Sequence, residues 1–141
     1  MKLLKLGSVA LVFILLALLT LACETSTTTV PEPANPYTLN YTALSSGDLI
    51  SFFQLAYLNE LGDTVKVIIP DNQFWSNTYT INQPNPVFIS GKTNFGIEGG
   101  SVRIAATISD KNGGILFTEQ RSISSSSLGA FNDTINTVFE Q

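Results

Sequence analysis

From Pro36 onward, apolar and polar residues alternate with a period of two, and turn residues interrupt the alternation about every eight to twelve positions. Successive side chains of a strand point to opposite faces, so this period predicts strands with one face buried. Tyr37, Leu39, Tyr41 and Ala43 alternate with Thr38, Asn40 and Thr42, and Ser45-Ser46-Gly47-Asp48 reads as a turn. Leu49 to Leu58 reads as a second strand, closed by a turn through Gly62-Asp63. Val65, Val67 and Ile69 form a third, ended by Pro70, and Trp75, Asn77, Tyr79 and Ile81 share one face of a fourth. Asn82 to Pro86 is too rich in proline for a strand interior. Val87 to Gly91 and Val102 to Ile108 follow, separated by a loop through Asn94-Phe95-Gly96 and Gly99-Gly100. Asp110-Lys111-Asn112-Gly113-Gly114 predicts a hairpin turn, because Asn and Gly tolerate φ > 0. Ile115 to Ile123 and Phe131 to Phe139 complete the set, with a serine-rich loop at 124–127 between them. No segment carries a helical stripe. The pattern predicts an all-β domain: an antiparallel, immunoglobulin-like β-sandwich of seven or eight strands.

The second strand departs from simple alternation. Leu49, Phe53, Leu55 and Tyr57 fill one face, yet Ile50, Phe52, Ala56 and Leu58 make the other apolar too. A half-buried strand shows one polar face. Two readings stand. Either a loop or the linker covers the second face, or Ile50, Phe52 and Leu58 form an exposed strip that meets a partner protein.

Before Pro36 the chain changes character. Lys2 and Lys5 give a short basic start, Val9 to Leu19 is almost purely apolar, and Leu19-Thr20-Leu21-Ala22-Cys23 closes the run with the only cysteine. A basic region, an apolar region and a small residue before a cut site describe a secretory signal. The apolar run from Leu6 to Ala22 is interrupted by Gly7, Ser8 and Thr20, and is short of the roughly 20 residues of a membrane span. The five residues ending at Cys23 resemble a bacterial lipoprotein signal. That resemblance implies cleavage before Cys23 and lipidation of its thiol. Two or three acyl chains hold a protein durably on a membrane, where one does so only marginally. Glu24 to Asn35, with Pro31 and Pro33, reads as an extended tether that reaches up to about 40 Å. The chain thus divides into a signal peptide and signal helix at residues 1–22, a lipidated cysteine and flexible linker at 23–35, and a β domain at 36–141. The expected location is the bacterial cell envelope, outside the cytoplasm, with the lipid anchor as the contact to the membrane.

Composition narrows the chemistry. Seven basic residues stand against eleven acidic ones, and cleavage of the signal removes Lys2 and Lys5 from the basic side. A nucleic-acid partner would need a basic patch that this balance does not supply. The chain has no histidine. With Cys23 acylated, Ser-His and Cys-His nucleophiles and His- or Cys-ligated metal sites drop out. Carboxylates, lysines and hydroxyls remain, and a domain of about 105 residues rarely builds a catalytic cleft beside its core. The expectation is a protein that is not an enzyme and takes no cofactor or metal. Asp110, Asn112 and Gly113 loosely match a calcium loop, but its twelfth position is Arg121 where an acid is needed, so the segment reads as a turn. Trp75 and Tyr79 are candidate ligand contacts, since aromatic side chains of this kind form sugar platforms and hot spots.

The run Tyr37 to Thr42, then Ser51-Phe52-Phe53, the hairpin from Tyr57 to Gly62, and Trp75 ahead of a Thr/Tyr strand carry a family likeness. Gly99-Gly100-Ser101-Val102 with Ile104, and the turn at Asp110 to Gly113 before Ile115-Leu116, continue it. Over Pro36 to Phe139 the chain resembles the extracytoplasmic domain of the mycobacterial small membrane protein (MmpS) family. The resemblance implies an accessory subunit beside a large membrane exporter. The expected function is a lipid-anchored binding module that assists a membrane export complex. The alternatives are a cell-surface module that binds glycan or wall, and a structural envelope lipoprotein.

Overall fold

The computed structural model describes residues 36–82 and 85–140. The signal segment, Cys23 and the linker lie outside the described residues. Among the described residues, seven strands run in chain order: β1 (Tyr37–Leu49), β2 (Phe53–Leu58), β3 (Thr64–Ile69), β4 (Phe74–Ile81), β5 (Asn85–Ser109), β6 (Ile115–Ser125) and β7 (Gly129–Phe139). All pairings are antiparallel, in one curled sheet ordered β3-β2-β5-β1-β4, with β6 and β7 each paired to β5. No helix occurs among the described residues.

The 25-residue β5 organises the sheet. Its first half lies against β7 from Asn85 to Phe95 and against β2 from Ile89 to Lys92. Its second half, Gly100 to Ser109, pairs with β6, and with β1 over most of its length. The sequence predicted two strands and a loop here. A single strand forms because the glycines between Phe95 and Gly100 let the backbone change direction while staying extended and paired. Gly47 (φ +96°) and Gly99 (φ +70°) hold conformations that side chains rarely adopt. A Cβ on Gly47 would stand 2.5 Å from the Gly100 Cα, and one on Gly99 would strike the Ser125 carbonyl. β1 and β5 therefore touch backbone to backbone at this bend, where their register shifts between Gly47 and Leu49.

This contact corrects a second expectation. Ser45 to Asp48 is no turn: Ser45, Ser46 and Gly47 pair with Val102, Ser101 and Gly100, so β1 continues to Leu49. The second strand consequently starts at Phe53, and residues 50–52 connect it to β1. The last two strands also run slightly longer than the alternation suggests, to Ser125 in β6 and from Gly129 in β7. Pro86 lies within β5, opposite Val138, at the strand's second residue.

The curl brings the buried faces together. Inward-facing Gly91 in the first half of β5 lies under Phe53 and Phe131, whose rings meet edge to face at 6.2 Å, and against Ile104 of the second half. The Phe88 N–H donates to the Tyr41 hydroxyl across the same space (3.2 Å). Leu39, Tyr41 and Ala43 of β1, Leu55 and Tyr57 of β2, and Ile135 of β7 complete the core with β5. These are the positions that the period of two assigned to the interior.

Candidate functional site

Among the described residues, the connection from β1 to β2 is the first place where large apolar side chains face solvent. Ile50 is 65% exposed and Phe52 66%. The segment that carries them is held firmly to β5. The Ile50 N–H donates to the Asn94 carbonyl (3.0 Å), the Thr93 hydroxyl to the Ser51 carbonyl (2.7 Å), and the Asn94 N–H to the Ser51 hydroxyl (2.8 Å). Thr93 is itself buried. A buried hydroxyl needs a partner, and the Ser51 carbonyl is that partner. The hydrogen bonds satisfy the backbone locally and leave both apolar side chains pointing outward.

Neighbouring strands extend this surface. Leu49, Phe95 and Gly129 form one row across β1, β5 and β7. Exposed Ile97 and Leu128 flank that row in sequence, as does Ile50. Phe52 forms one wall of a shallow cleft of about 410 Å³ with Gln54, Lys92, Asn94 and Asn132. A second shallow cleft of about 520 Å³ shares Gln54, Lys92 and Asn132 and adds Ala56, Lys66, exposed Ile68 and Ser90. Among the described residues, two lysines and no carboxylate line the pair of clefts. The row at Leu49 and the cleft at Phe52 lie toward the β1 end that is opposite Pro36, and the second cleft runs from there toward the middle of β2 and β3.

Leu58 does not join the expected strip. It is half-buried at the far end of β2, opposite Thr64, whereas Ile50 and Phe52 precede the other end. The alternation of β2 explains why: Gln54, Ala56 and Leu58 share the outer face, but Gln54 separates the last two from Phe52. Ile68, Ile97, Leu128 and the hydrogen-bonding pair Thr93 and Asn94 were missed in the sequence reading. Each apolar one left a trace. Ile68 is out of phase with Val65, Val67 and Ile69, Ile97 stands alone in a glycine-rich stretch, and Leu128 follows a run of serines.

Trp75 and Tyr79 lie elsewhere, on the inner face of β4. Both are half-buried against the core. The Trp75 and Tyr57 rings are 5.0 Å apart, and Tyr79 lies 6.3 Å from Tyr57 and 6.5 Å from Tyr41. The Asn77 side-chain amide donates to both the Tyr57 (3.0 Å) and Tyr79 (2.8 Å) hydroxyls. An asparagine at an inward position of an otherwise aromatic row was the available sequence signal for this cluster. Burial raises the Tyr79 phenol, helped by its hydrogen bond to Tyr57 and by the charges of Tyr57, Glu60 and Tyr41. Burial also raises the Tyr41 phenol, and the Phe88 N–H partly offsets it. These phenols stay neutral and act as packing and hydrogen-bonding groups. Trp75 keeps part of its surface exposed, and its contact with Tyr57 is tilted, with 47° between the ring planes.

Asp110 acts within its own turn. One carboxylate oxygen accepts the N–H groups of Asn112 and Gly114, both at 2.8 Å. No cluster of acidic residues suited to a metal ion occurs among the described residues. No protein-family model, curated protein or solved structure matched the chain.

Proposed function

We propose that this chain is a lipid-anchored, extracytoplasmic protein-binding module. In this reading Cys23 carries the lipid, residues 24–35 are the tether, and the curled sheet is an immunoglobulin-like β-sandwich. The partner docks at the pole opposite Pro36. One observation carries the proposal: Ile50 and Phe52 are exposed on a segment that hydrogen bonds to β5 hold in place. A preordered apolar surface loses little entropy on binding, which is what a docking site needs. β1 has 13 residues, so its far end stands about 40 Å from Pro36.

The lining of the adjoining clefts favours a partner with an apolar ridge and a carboxylate rim, to meet Phe52 and the lysines Lys66 and Lys92. A subunit of a membrane export complex is the leading candidate, as the resemblance to the MmpS family implies. The glycan-binding alternative draws less support, since Trp75 is half-buried and packs at a tilt against Tyr57 and the core.

The test is co-purification of the full-length chain from membranes in mild detergent, with the N-terminal peptide weighed by mass spectrometry. The expected result is a stoichiometric exporter subunit and a lipid-modified peptide that begins at Cys23. Phe52→Ser should lose the partner while unfolding at the same temperature as the wild type. A chain that purifies alone overturns the docking reading, and an unmodified peptide beginning at Met1 overturns the anchor.

A further inference from the structure

Four strands pair on one side only among the described residues: β3, β4, β6 and β7. An open strand edge presents unpaired N–H and C=O groups, and proteins usually blunt such edges with charge. β3 carries Lys66, β6 carries Glu119 and Arg121, and β7 carries Asp133. β4, Phe74-Trp75-Ser76-Asn77-Thr78-Tyr79-Thr80-Ile81, carries no charge, no proline and no glycine. It pairs with β1 residue by residue from Ile81 to Phe74 without a register shift. Its outer edge is therefore regular and undefended.

From this edge we infer that β4 pairs with β4 of a second copy, antiparallel about a two-fold axis at Asn77. The sequence of the strand is complementary to itself in that register. Residues directly opposite in an antiparallel pair share a face. On the inner face, Trp75 of each copy then meets Tyr79 of the other, and Asn77 meets Asn77. On the outer face, Ser76 meets Thr78. No like charges are brought together, and two aromatic pairs form by symmetry. Trp75 and Tyr79, half-buried in the single chain, gain cover from the second copy. A two-fold interface needs one patch that complements itself, and β4 is such a patch. Pairing would join two sheets into one continuous sheet and leave Ile50 and Phe52 free at the bend.

Ser76 and Thr78 are exposed, so substitutions there test the pairing without touching the core. The full-length chain in detergent, with micelles in excess, is weighed by sedimentation across a range of concentrations. The wild type should show twice the mass of one chain. Ser76→Lys with Thr78→Lys sets lysine opposite lysine in both halves of the interface, and the mass should fall by half. Ser76→Lys with Thr78→Glu sets lysine opposite glutamate and should restore the dimer. Circular dichroism of each variant checks that the strands are retained, and the charge swap remains decisive even if the double lysine variant fails to fold. A wild type that is monomeric throughout overturns the inference. So does a dimer that survives the double lysine variant, and a charge swap that stays monomeric rejects the register about Asn77. Slow exchange of β4 amides only when another protein is added would assign the edge to that protein instead.

Discussion

Phe52 and Phe53 are adjacent and chemically identical, yet one is 66% exposed and the other is fully buried. Phe53 packs edge to face on Phe131 above Gly91. Phe53→Ala should cost about 3–5 kcal/mol by leaving a cavity. Phe52→Ala should change stability by about 0.5 kcal/mol or less. Urea unfolding of the two variants measures the contrast. The tyrosines carry a second expectation. Tyr41 and Tyr79 are held above the ordinary phenol value of 10.0, first of all by burial. In the unfolded chain they ionise from that value, while in the folded chain they remain neutral. Their contribution is therefore fully present below pH 10 and is lost as the pH rises above it. The urea midpoint should hold steady to about pH 10 and then decline. Tyr79→Phe should make that decline shallower.

Two elements set the geometry of the surface. The first is the bend where β1 crosses β5. Gly47 combines a positive φ with a Cβ position 2.5 Å from the Gly100 Cα, whereas Gly62 has a positive φ in open space. Gly62→Ala should cost about 1 kcal/mol from backbone conformation alone. Gly47→Ala adds a collision between backbones, and should cost about 3 kcal/mol in the same unfolding assay. The second element is the connection between β1 and β2. Thr93→Val removes the hydroxyl that holds the Ser51 carbonyl. It should cost about 1 kcal/mol and speed hydrogen exchange at Ile50 and Asn94, with the rest of β5 unchanged.

At the scale of the molecule, β5 is the strand that every path through the sheet crosses or touches. Its second half is paired on both sides over most of its length. Hydrogen exchange should be slowest at Val102 to Ile108 and faster in β6, which is paired on one side and has no buried side chain. The ion pairs of Arg121 with Glu119 and Asp133 are partly exposed. They should add little, and salt should barely move the unfolding midpoint.

The alternation of apolar and polar residues determined the all-β content and which residues point inward, whereas the strand order, in which β1 pairs with β4 and β5 and β7 returns to β5, came only with the tertiary structure. Leu39, Tyr41, Phe53, Ile104 and Ile135 were all legible, because side-chain direction along a strand depends only on parity. The signal-like segment ending at Cys23 is equally a property of sequence, and it lies outside the described residues. Tertiary structure alone decided where strands continue through residues that look like turns. Glycines at 47, 99 and 100 read locally as breaks, but a partner backbone lying against them keeps the chain extended. Burial of the second apolar face was likewise undecided by pattern. Period two says that Phe52 and Leu58 are both even-numbered and apolar. Only the curl of the sheet and the hydrogen bonds of Ser51, Thr93 and Asn94 separate them, leaving one exposed at the bend and the other half-covered at the far end of its strand.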